Sequence, residues 1–238
     1  MEERMNNMQV GFDEDTAPVN FDFDDLDSDQ QLSARFVIDD SGSMEDYEDD
    51  VSDALEDLKQ MTLGSKQEDE MLLGKTLFGD QIKEDPYCLV SDFDTSYSAP
   101  GWSTKLFDAI IQSVANVKAS VKQLEDRQFT ARGLLVILSD GRDNDSEATK
   151  QEAAEAIKSL KDSGIEVYYI EFGVAAKGIA LSLGISPDRI LTPGNKSMSA
   201  EERRKELRAA FRFVSKSAIS ISQGGAAPNV DNGMFSVD

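Results

Sequence analysis

The sequence predicts an α/β fold of three layers, doubly wound: a mostly parallel, Rossmann-like central sheet with helices on both faces and one antiparallel hairpin at its edge. Three observations predict it. β-rich runs alternate with amphipathic helical stretches from about residue 32 to residue 222. The run GLLVILSD is continuously apolar, as a parallel strand covered on both faces is. The helical stretches open on Ser or Thr, the residues that satisfy free N–H groups at helix starts. A repeated β–α order makes a parallel sheet because each helix carries the chain back to the end of the sheet where the previous strand began.

In chain order, SARFVID is the first strand. MEDYEDDVSDALEDLKQM places Met44, Tyr47, Val51, Leu55 and Leu58 at helical spacing, with acids on the other face. KTLFGDQI and PYCLVSDF are the next two strands, and the polar stretch between Gln81 and Pro86 predicts the turn of their hairpin. STKLFDAIIQSVANVKASVKQL is a long helix opened at Thr104, and GLLVILSD is the central strand. SEATKQEAAEAIKSLKDSG is a helix with a Ser cap, Glu in its first turn and Gly at its end. IEVYYIEFG, VAAKGIALSLG and DRILTP follow as strand, short helix and short strand. SAEERRKELRAAFRFVSKSAISI is a Ser-capped last helix.

The division expected is an acidic N-terminal tail over 1–31, one domain over 32–222 and a Gly, Pro and Asn rich tail over 223–238. Residues 1–31 carry ten acidic side chains and one Arg, the composition of a solvated segment. Phe21, Phe23 and Leu26 are alternatively a docking strip for a partner.

Of 238 residues, the acids outnumber the bases enough to leave a net charge of −22. That argues against binding nucleic-acid phosphates or anionic membrane surfaces, both of which need clustered Lys and Arg. The lone Cys88 allows no intrachain disulfide, and its apolar setting reads as a buried strand thiol. With no histidine, imidazole catalysis and His-ligated zinc are excluded. A metal here is held by oxygen, which favours Mg²⁺, with Mn²⁺ or Ca²⁺ as alternatives. No leader-like segment and no apolar run of 18 residues stands out, so the expected location is the cytoplasm.

Three loops at predicted strand ends carry small oxygen ligands. Asp39 ends the first strand in DDSGS, where Gly42 permits a tight turn that sets Ser41 and Ser43 side by side. Thr104 opens a helix in APGWSTKLFDAI, and Asp140 ends the central strand in LSDGRDND. Two carboxylates and three hydroxyls make a hard site of low charge. Such a site gains from one further carboxylate supplied from outside.

In these residues the chain resembles von Willebrand factor type A domains with a metal-ion-dependent adhesion site. Asp39, Ser41 and Ser43 match the family's D-x-S-x-S element, Thr104 its later threonine and Asp140 its last aspartate. The likeness runs over about residues 33 to 220, through Met44 and the late AFRFVSK segment. Ser103 and Lys105 depart from the family's Gly and Pro on either side of the threonine. The resemblance implies a non-enzymatic interaction module in which a partner's Asp or Glu completes a bound Mg²⁺. It implies two settings: an adaptor to an AAA+ ATPase of the MoxR kind, or a component of a larger assembly, including a phage or virion. The acids from Glu45 to Asp50 read as a solvated helix face, and Asp143 and Asp145 as a polar loop or cap for the next helix. Trp102 reads either as packing or as a partner contact.

One enzymatic alternative stands beside this. CLVSDFDTS resembles the first motif of haloacid-dehalogenase-like phosphatases, with Asp92 as nucleophile, Asp94 as general acid and Mg²⁺ as cofactor. It leaves DDSGS unexplained.

Overall fold

The computed structural model describes residues 17–172, 177–193 and 198–229. The expected α/β architecture is present. Among the described residues seven strands form one sheet in the order β3-β2-β1-β5-β6-β7, with β4 pairing on β2. They are β1 (Gln30–Asp39), β2 (Met71–Phe78), β3 (Ile82–Glu84), β4 (Cys88–Leu89), β5 (Thr130–Ser139), β6 (Glu166–Glu171) and β7 (Ile190–Leu191). β2, β1, β5, β6 and β7 run parallel, and β3 and β4 run antiparallel to β2.

The helices divide between the two faces by the period-two alternation of the strands. Leu32, Ala34, Phe36 and Ile38 of β1 point to one face. They meet α1 (Glu48–Leu63) through Val51 and Leu55, and α5 (Ala200–Ser222) through Leu207, Phe211 and Val214. Val37 points to the other face, whose cluster also holds Ile110 of α2 (Leu106–Glu125), Ile157 of α3 (Lys150–Asp162) and Ala180 of α4 (Lys177–Ser182). GLLVILSD is covered on both faces, since Leu134, Leu135, Val136, Ile137 and Leu138 are all inaccessible. Among the described residues no helix is long and apolar enough to cross a membrane.

From β1 the chain crosses to β2 on one side and later returns to β5 on the other. β1 and β5 are neighbours in the sheet with register pairs from Gln30↔Thr130 to Ile38↔Leu138. Their connections therefore diverge and leave a crevice at the carboxyl ends, where doubly wound sheets bind ligands. Asp39 ends β1 and Asp140 follows β5 directly, so both stand at this crevice.

Four local expectations are corrected. The hairpin turn lies at Gly79–Gln81, within KTLFGDQI, because Gly and Asp are turn formers. PYCLVSDF contributes only the two residues of β4, paired with Leu72 and Leu73. The N-cap of α3 is Thr149, not Ser146: Glu152 stands three residues after Thr149 and closes a capping box with it. The helix placed at Met44 begins as a 3-10 turn over Gly42–Tyr47 and becomes α-helical at Glu48. The Ser199 cap of α5 is as expected, again with a capping box to Glu202.

Part of the acidic tail packs on the domain. Tyr87 N donates to Pro18 O at 2.9 Å and Asn20 N to Tyr87 O at 2.7 Å. Phe21, Phe23 and Leu26 lie against a cluster holding Leu72, Tyr87, Ala119 and Leu124. The Arg127 guanidinium sits 4.0 Å over the Phe23 ring. The strip thus covers this chain's own surface. At the other end Tyr168 Oη donates to Pro228 O at 2.8 Å. Residues 1–16 and 230–238 of the two tails lie outside the described residues.

Candidate metal centre

Three loops converge at the crevice, and backbone hydrogen bonds join them. The β1–α1 loop meets the loop before α2 through a short parallel bridge between Ser41 and Gly101. Gly42 N donates to Gly101 O at 2.6 Å, and Gly101 N to Asp40 O at 3.0 Å. The loop before α2 meets the β5–α3 loop at Thr104. Its N–H donates to Asn144 Oδ1 at 2.8 Å, and its carbonyl accepts from Asn144 N and Asp145 N at 3.1 and 3.2 Å.

α2 and the β5–α3 loop also exchange caps. Lys105, at the α2 N-cap, offers no side-chain acceptor. Ser146 Oγ accepts from Phe107 N and Asp108 N instead. Asp108 returns two bonds, accepting from Glu147 N at 2.9 Å and Ala148 N at 2.8 Å. The Lys105 ammonium, whose charge departs from the family pattern, is engaged by Asp145 Oδ2 at 3.1 Å. Asp143 accepts from Ser146 Oγ, so these two aspartates hold the loop, and the cap of α3 is left to Thr149.

The proposed ligands have these places. Asp39 is fully buried. Its Oδ1 accepts from Ser41 N at 3.0 Å and its Oδ2 from Ser139 Oγ at 2.7 Å. The Ser41 and Ser43 hydroxyls lie 3.1 Å apart, as the tight turn required. Thr104 is buried. Asp140 keeps 14% of its side chain exposed, with Arg142 Nε 3.4 Å from its Oδ2. Gly141 takes φ +80°, a turn that glycine makes without strain directly after Asp140.

The donor set fits a small hard cation in kind: only oxygen, two carboxylates and three hydroxyls. Among the described residues no group of three or more His, Cys, Asp or Glu could hold a metal, so any such centre leans on hydroxyls. Burial pushes the Asp39 carboxyl up to about 6, hydrogen bonds from Ser41 and Ser139 oppose this, and the charge of Asp140 adds to it. A buried anion held next to a second carboxylate is the environment a cation relieves.

Two supporting residues carried no sequence signal strong enough to single them out. Ser139 fixes Asp39 Oδ2 and also accepts from Gly141 N at 3.0 Å. Its place directly before Asp140 was the available clue. Tyr97, distant in sequence, donates its hydroxyl to Asp39 O.

Asp92 and Asp94 are both exposed, on and after a one-turn 3-10 helix over Val90–Asp92. Asp94 is engaged by the buried Lys75, whose ammonium donates to its Oδ2 at 2.9 Å and to the carbonyls of Asp94 and Ser96. Desolvation opposes ionisation of Asp94, but the bonds from Lys75 and Ser96 outweigh it and hold the carboxyl down at about 2. A lowered carboxylate contributes stability above its unfolded value near 3.8 and loses it as pH falls toward 2. Asp94→Asn is therefore expected to flatten the acid limb of stability between about pH 4 and pH 2. Solvent screening at a mostly exposed group keeps the effect under about 1 kcal/mol. Urea unfolding at pH 3 and pH 6 checks it.

No protein-family model and no curated protein matches the chain. Solved structures do. The open form of the pilus adhesin SpaC from Lactobacillus rhamnosus GG aligns with a TM-score of 0.63 at 13% identity, over 86% of this chain and 31% of that one. A mutant of the PilB minor pilin from Streptococcus sanguinis aligns at 0.55 and 13%, over 84% and 63%. Proximal thread matrix protein 1 of the mussel byssus, with a zinc-occupied MIDAS motif, aligns at 0.50 and 14%, over 76% and 46%. The chain spans about a third to less than two thirds of these proteins. The likeness is one of fold: the chain has a von Willebrand factor A-like, Rossmann-type α/β fold.

Proposed function

We propose that the chain is a non-enzymatic, metal-dependent protein-interaction module. Asp39, Ser41, Ser43, Thr104 and Asp140 hold one Mg²⁺ or Mn²⁺, which when bound supplies a coordination position for a partner's Asp or Glu. The observation that carries this reading is the joining of three loops around a buried Asp39 whose two oxygens are already aimed by Ser41 and Ser139. Asp39 and Asp140 bring two negative charges to a divalent cation and cancel them without excess, so an incoming carboxylate is not repelled by a surplus of ligand charge. Ser41, Ser43 and Thr104 add neutral oxygens. Arg142 beside Asp140 places a further positive charge at the rim.

The setting we favour is a larger protein assembly, in keeping with the pilus adhesin and minor pilin of like fold; an adaptor to an AAA+ ATPase is the other setting the resemblance implies. Titration calorimetry tests the centre. The wild type is expected to bind one equivalent of Mn²⁺, and Asp140→Ala none while keeping its circular dichroism. With Mn²⁺ present, N-acetylglutamate amide is expected to bind weakly, and EDTA to remove that binding. Absence of metal heat in the wild type, or carboxylate binding indifferent to EDTA, would sink the proposal. Turnover of p-nitrophenyl phosphate that disappears in Asp92→Asn would favour the phosphatase instead.

A further inference from the structure

The strap that precedes β1 lies at the pole of the molecule opposite the metal centre. β1 runs from Gln30 to Asp39, nine residue steps. At about 3.3 Å per step its two ends are about 30 Å apart. Asp39 stands at the carboxyl end, in the metal centre. At the amino end Thr130 N, which opens β5, donates to Asp29 O at 2.8 Å, and Ala17 N donates to Gln123 Oε1 at 3.2 Å. Phe21, Phe23 and Leu26 are half-buried along this strap, while its acids Asp22, Asp24, Asp25, Asp27 and Asp29 are all exposed. Asp24 and Asp25 sit on a one-turn 3-10 helix over Phe23–Asp25. The Asp22 carboxylate accepts from Asp24 N at 3.1 Å and fixes that turn. Phe23 and Leu26 anchor it on either side, so the two carboxylates between them face solvent. Neither carboxylate enters a hydrogen bond or ion pair among the described residues.

We infer that Asp24 or Asp25 of a second copy of this chain is the acid that the metal centre takes, so that copies join head to tail. The inference rests on the metal-dependent reading above and names its partner. The centre accepts one carboxylate from outside, and the strap presents two adjacent ones on a turn that packing already holds. A ligand held in its bound shape loses less conformational freedom on binding. The chain cannot serve its own centre. Even if the strap were peeled back to Gln30, the six steps from Asp24 would span at most about 21 Å, short of the distance to Asp39. The contact therefore joins opposite poles of two copies. Such a contact is heterologous, and it repeats along a row of copies instead of closing a symmetric pair. Arg142, with 67% of its side chain exposed at the rim of the centre, is placed to pair with the second acid. The net charge of −22 opposes the approach of two copies, so the contact is weak and needs the metal.

Sedimentation of the full chain over a range of concentrations tests this, in Mg²⁺ and in EDTA at matched ionic strength. The wild type is expected to stay monomeric in EDTA. In Mg²⁺ its average mass is expected to rise with concentration, half-associated in the submillimolar range. The double substitution Asp24→Asn, Asp25→Asn is expected to weaken this association at least tenfold, while calorimetry shows Mn²⁺ binding as in the wild type. Removing two negative charges lessens the repulsion between copies, so a contact set by bulk charge would strengthen instead. Asp140→Ala is expected to stay monomeric in Mg²⁺. Mixed in equal amounts, the two variants have one working strap and one working centre between them, and they are expected to form pairs and nothing larger. A wild type that binds Mn²⁺ but keeps its monomer mass in Mg²⁺ overturns the inference and leaves the metal centre standing. Association that persists in the double variant, or a mixture that stays monomeric, does the same. A wild type that binds no Mn²⁺ overturns both.

Discussion

In EDTA at pH 8, Asp39→Asn is expected to be more stable than the wild type; in millimolar Mg²⁺ the order is expected to reverse. Asp39 is fully buried, and without a cation burial raises its carboxyl to about 6 from 3.8. The folded chain then binds the proton more tightly than the unfolded one. The stability this contributes is fully present below the unfolded value and is lost as pH rises through the folded one. Well above pH 6 the wild type carries the whole loss, about 3 kcal/mol for a carboxyl held at about 6 in place of 3.8. Asparagine carries no such charge. Its amide oxygen still accepts from Ser41 N, and the Ser139 hydroxyl can rotate to meet its amide group. The advantage of the variant is expected to be about 1–3 kcal/mol at pH 8 and to vanish near pH 4.

A bound cation inverts this comparison. The charge that destabilises the empty centre is the one that holds the ion, and a ligand at a hundredfold excess over its Kd stabilises the wild type by about 2.7 kcal/mol. Asp39→Asn forgoes most of that. Urea unfolding of both chains in EDTA and in Mg²⁺, at pH 4.5 and pH 8, gives four comparisons. The same order in all four would mean that Asp39 is a structural residue only.

Much of this was legible in the chain because it is local. A carboxylate ending a buried run, a glycine between two serines and a helix start are adjacent in sequence, and DDSGS shows all three. The β–α alternation is legible for the same reason. What escaped depends on contacts between distant segments. Tyr97 reaches Asp39 O across 58 positions. Ser146 looked like the cap of its own helix but caps α2, because Glu152 is spaced to serve Thr149. Gly79–Gln81 forms the turn inside an apolar run read as one strand, and there Asp80 collects the N–H groups of Trp102 and Ser103. Phe21, Phe23 and Leu26 read as part of a solvated tail or as a strip for a partner, and it is β2 and α2, distant in sequence, that offer Leu72 and Ala119 for them to cover.

Gly101→Val is expected to abolish Mn²⁺ binding and to lower stability by about 2–5 kcal/mol, although Gly101 contributes no ligand. Its φ is not positive, so conformational freedom is not the reason for glycine here. Space is the reason. A Cβ would lie 3.0 Å from Asp40 O, 3.3 Å from Ser41 Cα and 3.4 Å from Gly79 Cα, all backbone positions that cannot swing aside. Gly42 is constrained from the other side, its own Cβ position lying 3.1 Å from Gly101 O. Two backbone hydrogen bonds cross this contact, each worth about 1 kcal/mol. The added carbons cost a further 1–3 kcal/mol as overpacking. Valine therefore pushes the Ser41 turn away from the segment that leads to Thr104. A centre built on hydroxyls has little charge to recover affinity once its oxygens are misplaced by even an ångström. Gly178→Ala is the control, since no atom lies within 4 Å of a Cβ there and alanine suits a helix better. Calorimetry with Mn²⁺ and urea unfolding on both variants decide the matter. Wild-type affinity in Gly101→Val would show that the two loops need not touch for the centre to form.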